Sequence, residues 1–116
     1  PLACAAALAT IDVLLEENLP ARAAEVGEYF LNGLREAAKG HEDLVMEIRG
    51  QGLMIGIEFH KDEIGYEASK GIFEKGIVVA GTLINSKTIR IEPPLTISYE
   101  EVDYVLKSFK EVLENL

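Results

Sequence analysis

Apolar positions change their period along the chain, and the changes divide it into elements. Residues 2–17 are rich in alanine and leucine, the strongest helix formers, and predict a helix. Asn18 and Pro20 interrupt it, and Asn18 is placed to cap a second helix with Pro20 in its first turn, where a missing N–H costs little. In that second helix Val26, Phe30 and Leu34 recur at i, i+4 and i+8, with Ala23 and Ala37 widening the stripe and Gly40 as its stop. The period then drops to two. Residues 44–49 predict a strand and Gly50-Gln51-Gly52 a tight connection. Leu53, Ile55, Ile57 and Phe59 alternate with Met54, Gly56 and Glu58, the clearest strand pattern in the chain.

Residues 62–75 return to a helical pattern, weakened by Gly65 and Gly71 and ended by Gly76. Residues 77–80 (IVVA) predict a buried strand, residues 81–87 a loop, and residues 88–91 (TIRI) a further strand. Alternation puts Thr88, Arg90 and Glu92 on one side of this last strand and Ile89 and Ile91 on the other. Pro93 and Pro94 then stop the sheet. Ser98 to Glu101 has the form of a capping box, with Ile97 and Val102 placed as a hydrophobic staple. Val102, Val105, Leu106, Phe109, Val112 and Leu113 follow with helical spacing. The order α-α-β-β-α-β-β-α predicts an α+β fold: a small, mostly antiparallel sheet covered by helices, with the first helix protruding or docking elsewhere.

A chain of 116 residues can form one domain with its own core, and 48% hydrophobic with 27% charged residues fits a globular protein. The net charge of −9 disfavours nucleic acid or an anionic membrane as partner, because phosphate binding needs a basic surface. No apolar run approaches the roughly 18 residues of a membrane span. The single cysteine, Cys4, in its alanine-rich setting, reads as a small buried hydrophobe and favours a reducing, cytoplasmic compartment. A start at Pro1, opening directly into a helical pattern, is expected of a piece of a longer protein.

Few residues carry the pattern of a chemical site. Arg90 stands on a short strand just before a rigid turn, where its planar guanidinium could clamp a carboxylate through two parallel hydrogen bonds. The same pattern also fits an ordinary ion pair, with Glu92 two residues on or with Glu58 on a neighbouring strand. The glycine-rich stretch from Arg49 to Leu53 could bring amides to a phosphate, but no helix follows it, and a strand-to-strand turn is the better fit. His41 and His60 have no further ligand at metal spacing and read as surface residues. Cys4 has no basic neighbour to form a thiolate. Glu100, Glu101 and Asp103 lie in a first helical turn, where the dipole favours acids, and Tyr66 and Tyr104 have no evident partner. Pattern alone therefore offers a carboxylate clamp, no catalytic residue and no metal site.

Three tracts resemble one family in order and across nearly the whole chain. Residues 1–9 (PLACAAALA) look like the helix after the large domain of class III, pyridoxal-phosphate-dependent aminotransferases. Residues 48–58 (IRGQGLMIGIE) are similar to the turn and strand that begin that family's small-domain sheet, and residues 89–97 (IRIEPPLTI) to its arginine–diproline segment. The resemblance implies the C-terminal small domain of a fold-type I enzyme: residues 1–17 a helix leading from a large domain, residues 18–116 the small domain. It implies that Arg90 binds the substrate or 2-oxoacid carboxylate, and that this arginine pairs with a large-domain glutamate when the carboxylate is absent.

The resemblance places the cofactor, pyridoxal 5'-phosphate, and its lysine in the large domain. Lys39, Lys61, Lys70, Lys75, Lys87, Lys107 and Lys110 match no such motif. The chain alone is therefore expected to hold no cofactor and to be inactive, while the whole enzyme moves an amino group from an amine to a 2-oxoacid such as 2-oxoglutarate. Residues 79–96 look most like family members whose donor is putrescine, a diamine, with ornithine and acetylornithine as other donors; Glu92 stands where ornithine-type members often carry an apolar residue. The family also implies a homodimer or larger assembly. The alternatives are a stand-alone regulatory domain that binds a small carboxylate without catalysis, and a purely structural or oligomerising domain.

Overall fold

The helix stripe of Val26, Phe30 and Leu34 is fully buried, and it fixes how the rest of the chain is arranged. In the computed structural model, which describes residues 1–82 and 84–116, the elements are α1 (Leu2–Glu16), α2 (Leu19–Ala37), β1 (Val45–Gln51), β2 (Met54–Phe59), α3 (Asp62–Glu74), β3 (Ala80–Gly81), β4 (Thr88–Ile91) and α4 (Tyr99–Leu113). The strands form one antiparallel sheet in the order β1-β2-β4-β3. This is the α+β arrangement the pattern predicts. Leu83, within the loop expected over residues 81–87, lies outside the described residues.

One face of the sheet is the core. Ile55 stands opposite Ile91, and Ile57 lies between Ile48 and Ile89. Against these pack Phe30 and Leu34 of α2, Ala68 and Ile72 of α3, and Val102, Phe109 and Val112 of α4. Burying a side chain of this size contributes roughly 1.5–3 kcal/mol, so the core rests on few residues, each with a large share. The other face carries Glu47, Arg49, Met54, Gly56, Glu58 and Arg90, all of them exposed or half-buried.

The hydrophobic staple and capping box form as expected. The Ser98 hydroxyl accepts from the Glu101 amide at 3.2 Å and the Glu101 carboxylate accepts from the Ser98 amide at 2.8 Å. Arg22 of α2 donates to the Ile97 carbonyl at 2.7 Å and ties the start of α4 to α2. Bonds from the Ser98 amide, and then from the Ser98 hydroxyl, hold the Glu101 carboxyl below its usual range. A depressed carboxylate stabilises the fold above its unfolded pKa and loses that contribution as pH falls through the folded value. Ser98→Ala is expected to cost about 1 kcal/mol at pH 7. Urea unfolding at pH 7 and pH 3 should show this penalty shrinking at the acid end, where the hydroxyl loses its ionised acceptor; an equal penalty at both would mean that the hydroxyl has no part in holding Glu101 ionised.

Four local expectations change. Asn18 does occupy the N-cap position of α2, but in the left-handed region (φ 49°) with no side-chain capping bond; its backbone makes the turn instead. The connection between β1 and β2 is shorter than Gly50-Gln51-Gly52: Gln51 still pairs with Met54, leaving Gly52 (φ 55°) and Leu53 to turn the chain. Residues 77–80 are not a buried strand. Only Ala80 and Gly81 pair, at the sheet edge, while Val78 is 82% exposed and Ile77 and Val79 lean on the core. Cys4 is exposed rather than buried, because α1 packs only lightly, mainly on α2, and none of its residues is buried. Leu2, Leu8, Ile11 and Leu15 of α1 are exposed with it.

Candidate functional site

The register of β2 and β4 decides what surrounds Arg90. Its partner on β2 is Gly56 and its partner on β3 is Ala80. The guanidinium thus rises from the open face between the two smallest side chains, with free space on both sides. Gly56 has no positive φ, and a Cβ there would meet Thr88 Cγ2 at an ordinary 3.7 Å. Neither backbone strain nor packing demands a glycine at this point. What its lack of a side chain provides is room beside the arginine.

Arg90 makes one side-chain contact among the described residues, an ion pair from Nη1 to the Glu92 carboxylate at 3.3 Å, with both side chains more than two-fifths exposed. An exposed pair of this length is worth little, and most of the guanidinium's donors remain open. Of the two ionic partners that the sequence offers, Glu92 is the one used. Glu58 is not, because it is taken by Arg49 at 2.7 Å and by the Asn85 amide at 3.0 Å. Arg49 also reaches Glu47 at 2.6 Å. The Arg49 bond, then the Asn85 bond, hold the Glu58 carboxyl below its usual range, and Glu58 in turn raises the Arg49 guanidinium. Thr88 shares the face of Arg90 but is buried, and its hydroxyl has no hydrogen-bond partner among the described residues.

The sequence could not show this arrangement. Alternation puts Gly56 and Glu58 outward, but the register that sets Gly56 against Arg90, and the loop that brings Asn85 to Glu58, come from long-range pairing. The other candidates stay apart. The Gly52 turn presses its backbone against Gly27 of α2, so it cannot wrap a phosphate. His60 lies 3.1 Å from the Glu42 carbonyl, and no group of three metal-ligating side chains occurs among the described residues. Tyr104 donates to the Lys75 carbonyl at 2.9 Å, a structural contact.

The residues present do not fit a phosphate-bearing cofactor. None of the seven lysines is buried. The groove that holds Lys70 and Lys75 also holds Glu67, Glu74 and Glu111, the wrong sign for a phosphate, and Lys75 is paired with Glu111 at 2.5 Å. No helix among the described residues is long and apolar enough to cross a membrane.

Comparison with known proteins gives one consistent result. The sequence model of the family described as aminotransferase class-III matches residues 1–113. A putrescine aminotransferase from Pectobacterium atrosepticum is 55% identical over all 116 residues, which make up 25% of that protein. Among solved structures, an acetylornithine aminotransferase from Elizabethkingia anophelis superposes with a TM-score of 0.91 at 28% identity, over 100% of this chain and 30% of that one. An ornithine aminotransferase from Toxoplasma gondii ME49 gives 0.89 at 32% identity, over 99% of this chain and 27% of that one. The chain thus spans about a quarter of the length of the curated relative it matches.

Proposed function

Because the chain belongs to the class III aminotransferase family, we propose that residues 18–116 are the small C-terminal domain of a transaminase and residues 1–17 the helix that leads into it from a large domain. In this reading Arg90 anchors the carboxylate of a 2-oxoacid such as 2-oxoglutarate. The observation that carries it is the setting of that side chain: a guanidinium on a strand, flanked in register by Gly56 and Ala80 and engaged by one weak surface pair. A fork held in this way can take a carboxylate through two charge-assisted hydrogen bonds and fix the orientation of the carbonyl beside it.

Pyridoxal 5'-phosphate, the cofactor the family implies, would be held by parts of the protein beyond this chain, whose groove around Lys70 and Lys75 does not suit a phosphate. The chain by itself is therefore inactive in this proposal. The exposed apolar side chains of α1 support its docking onto the remainder of the protein, in a homodimer or larger assembly. The donor is a diamine of the putrescine type, a reading supported by the 55% identity to the Pectobacterium protein; ornithine and acetylornithine are the competing donors. An exposed, unpaired Cys4 suits a reducing, cytoplasmic setting.

The test is turnover by the full-length protein. Glutamate formed from 2-oxoglutarate would be measured with putrescine, ornithine, acetylornithine and 4-aminobutyrate in turn. Putrescine is expected to give the highest kcat/KM. A higher value with another donor would replace the diamine assignment. No glutamate with any donor, combined with measurable 2-oxoglutarate binding, would favour a carboxylate-binding domain without catalysis.

A further inference from the structure

Glu58 has a choice of two arginines. Gly56 pairs in register with Arg49 on one side and with Arg90 on the other, and Glu58 stands two residues along the same strand on the same face. Diagonal neighbours at this offset lie about 7–8 Å apart, within reach of long side chains. By register alone, the carboxylate could serve Arg49 or Arg90 equally well. If it turned to Arg90 it would occupy the donors that a substrate carboxylate needs.

The structure resolves the choice. One carboxylate oxygen of Glu58 accepts from Arg49 at 2.7 Å, and the other accepts from the Asn85 side-chain amide at 3.0 Å. Asn85 is itself fixed: its side-chain oxygen accepts from the Lys87 amide at 3.1 Å, its backbone amide donates to the Thr82 hydroxyl at 3.0 Å, and that hydroxyl donates back to the Asn85 carbonyl. Glu58 is the least exposed member of these ion pairs, at 14%, whereas Arg90 and Glu92 are exposed. The tighter and drier network is thus the one that leads Glu58 away from Arg90.

We propose that Arg49 and Asn85 are positioning residues that hold Glu58 off Arg90 and so keep that arginine open to the incoming carboxylate. This rests on the reading of Arg90 as the carboxylate anchor. Glu58 is then a captured competitor, and the hairpin Arg49 and the loop Asn85 act on substrate binding without touching substrate.

The experiment is steady-state kinetics on the full-length protein, with thermal midpoints measured alongside. Arg49→Met frees Glu58 and is expected to raise KM for the 2-oxoacid about fivefold, the upper end for an exposed ion pair, with KM for the amine donor unchanged. Asn85→Ala should act in the same direction and serves if Arg49→Met does not fold. Adding Glu58→Gln to either variant removes the competing charge and should restore KM. An unchanged KM in the Arg49 and Asn85 variants, or a raised KM that Glu58→Gln does not restore, overturns the proposal. Arg90→Met separates the two levels. If it leaves KM for the 2-oxoacid unchanged, the anchor reading falls and takes this inference with it. If it raises KM while the Arg49 and Asn85 variants do not, this inference alone falls.

Discussion

Arg90→Ala in the full-length protein is expected to raise KM for the 2-oxoacid by on the order of 10- to 100-fold, the loss associated with hydrogen bonds to a charged group. KM for the amine donor should change far less, because the donor proposed above, a diamine, offers no carboxylate to the same fork. Arg90→Lys is the informative second variant. It keeps the charge but loses the planar pair of donors, so it should recover only part of the affinity. The effect should be confined to substrate: Arg90 is exposed and its one partner among the described residues, Glu92, is too, so the thermal midpoint should barely move. An equal rise in KM for both substrates would remove the anchor role. Unchanged kinetics would leave a domain whose contribution is structural or oligomerising.

Gly27→Ala is expected to destabilise the fold by about 1–2 kcal/mol net, although helix propensity alone argues for the opposite sign. Gly27 lies in the middle of α2, where alanine is favoured by roughly 0.8–1.0 kcal/mol. A Cβ there would overlap the carbonyl group of Gly52 and come within 2.6 Å of its Cα. These are backbone atoms of the β1–β2 turn, so nothing can rotate away, and either α2 or the hairpin must move. Overpacking of this kind costs about 1–3 kcal/mol, occasionally more, which exceeds the propensity gain. Gly33→Ala is the matched control. The atoms nearest to its Cβ would be those at the branched end of the Leu106 side chain, which can adjust, so its loss should be smaller. Urea midpoints of the two variants decide the matter. A Gly27→Ala protein as stable as the original would mean that the close approach of α2 to the turn is not required.

Val26, Phe30 and Leu34 were recognisable as a core stripe, and Ile55, Ile57 and Phe59 as a buried strand face, because burial on one side imposes a period that survives in the sequence. The Ser98 capping box was legible for the same reason: its partners lie three residues apart. Residues 77–80 misled, since a short apolar run looks the same whether it is covered on both faces or, as here, half exposed at an edge. Cys4 misled because an alanine-rich helix does not say whether anything packs against it. Gly27 gave no signal, because its partner lies 25 residues away in a turn.

The order and kind of the elements, the core face of each, the tract around Arg90 and the family resemblance are all properties of spacing within a few residues, and so are legible in the chain. That Gly56 and Ala80 flank Arg90, that Glu58 goes to Arg49 and Asn85, and that α2 meets the hairpin through two glycines emerges from the folded molecule alone. Each of these depends on strand register or on contact between distant segments. A one-residue slip in register would exchange every neighbour while leaving the local pattern untouched.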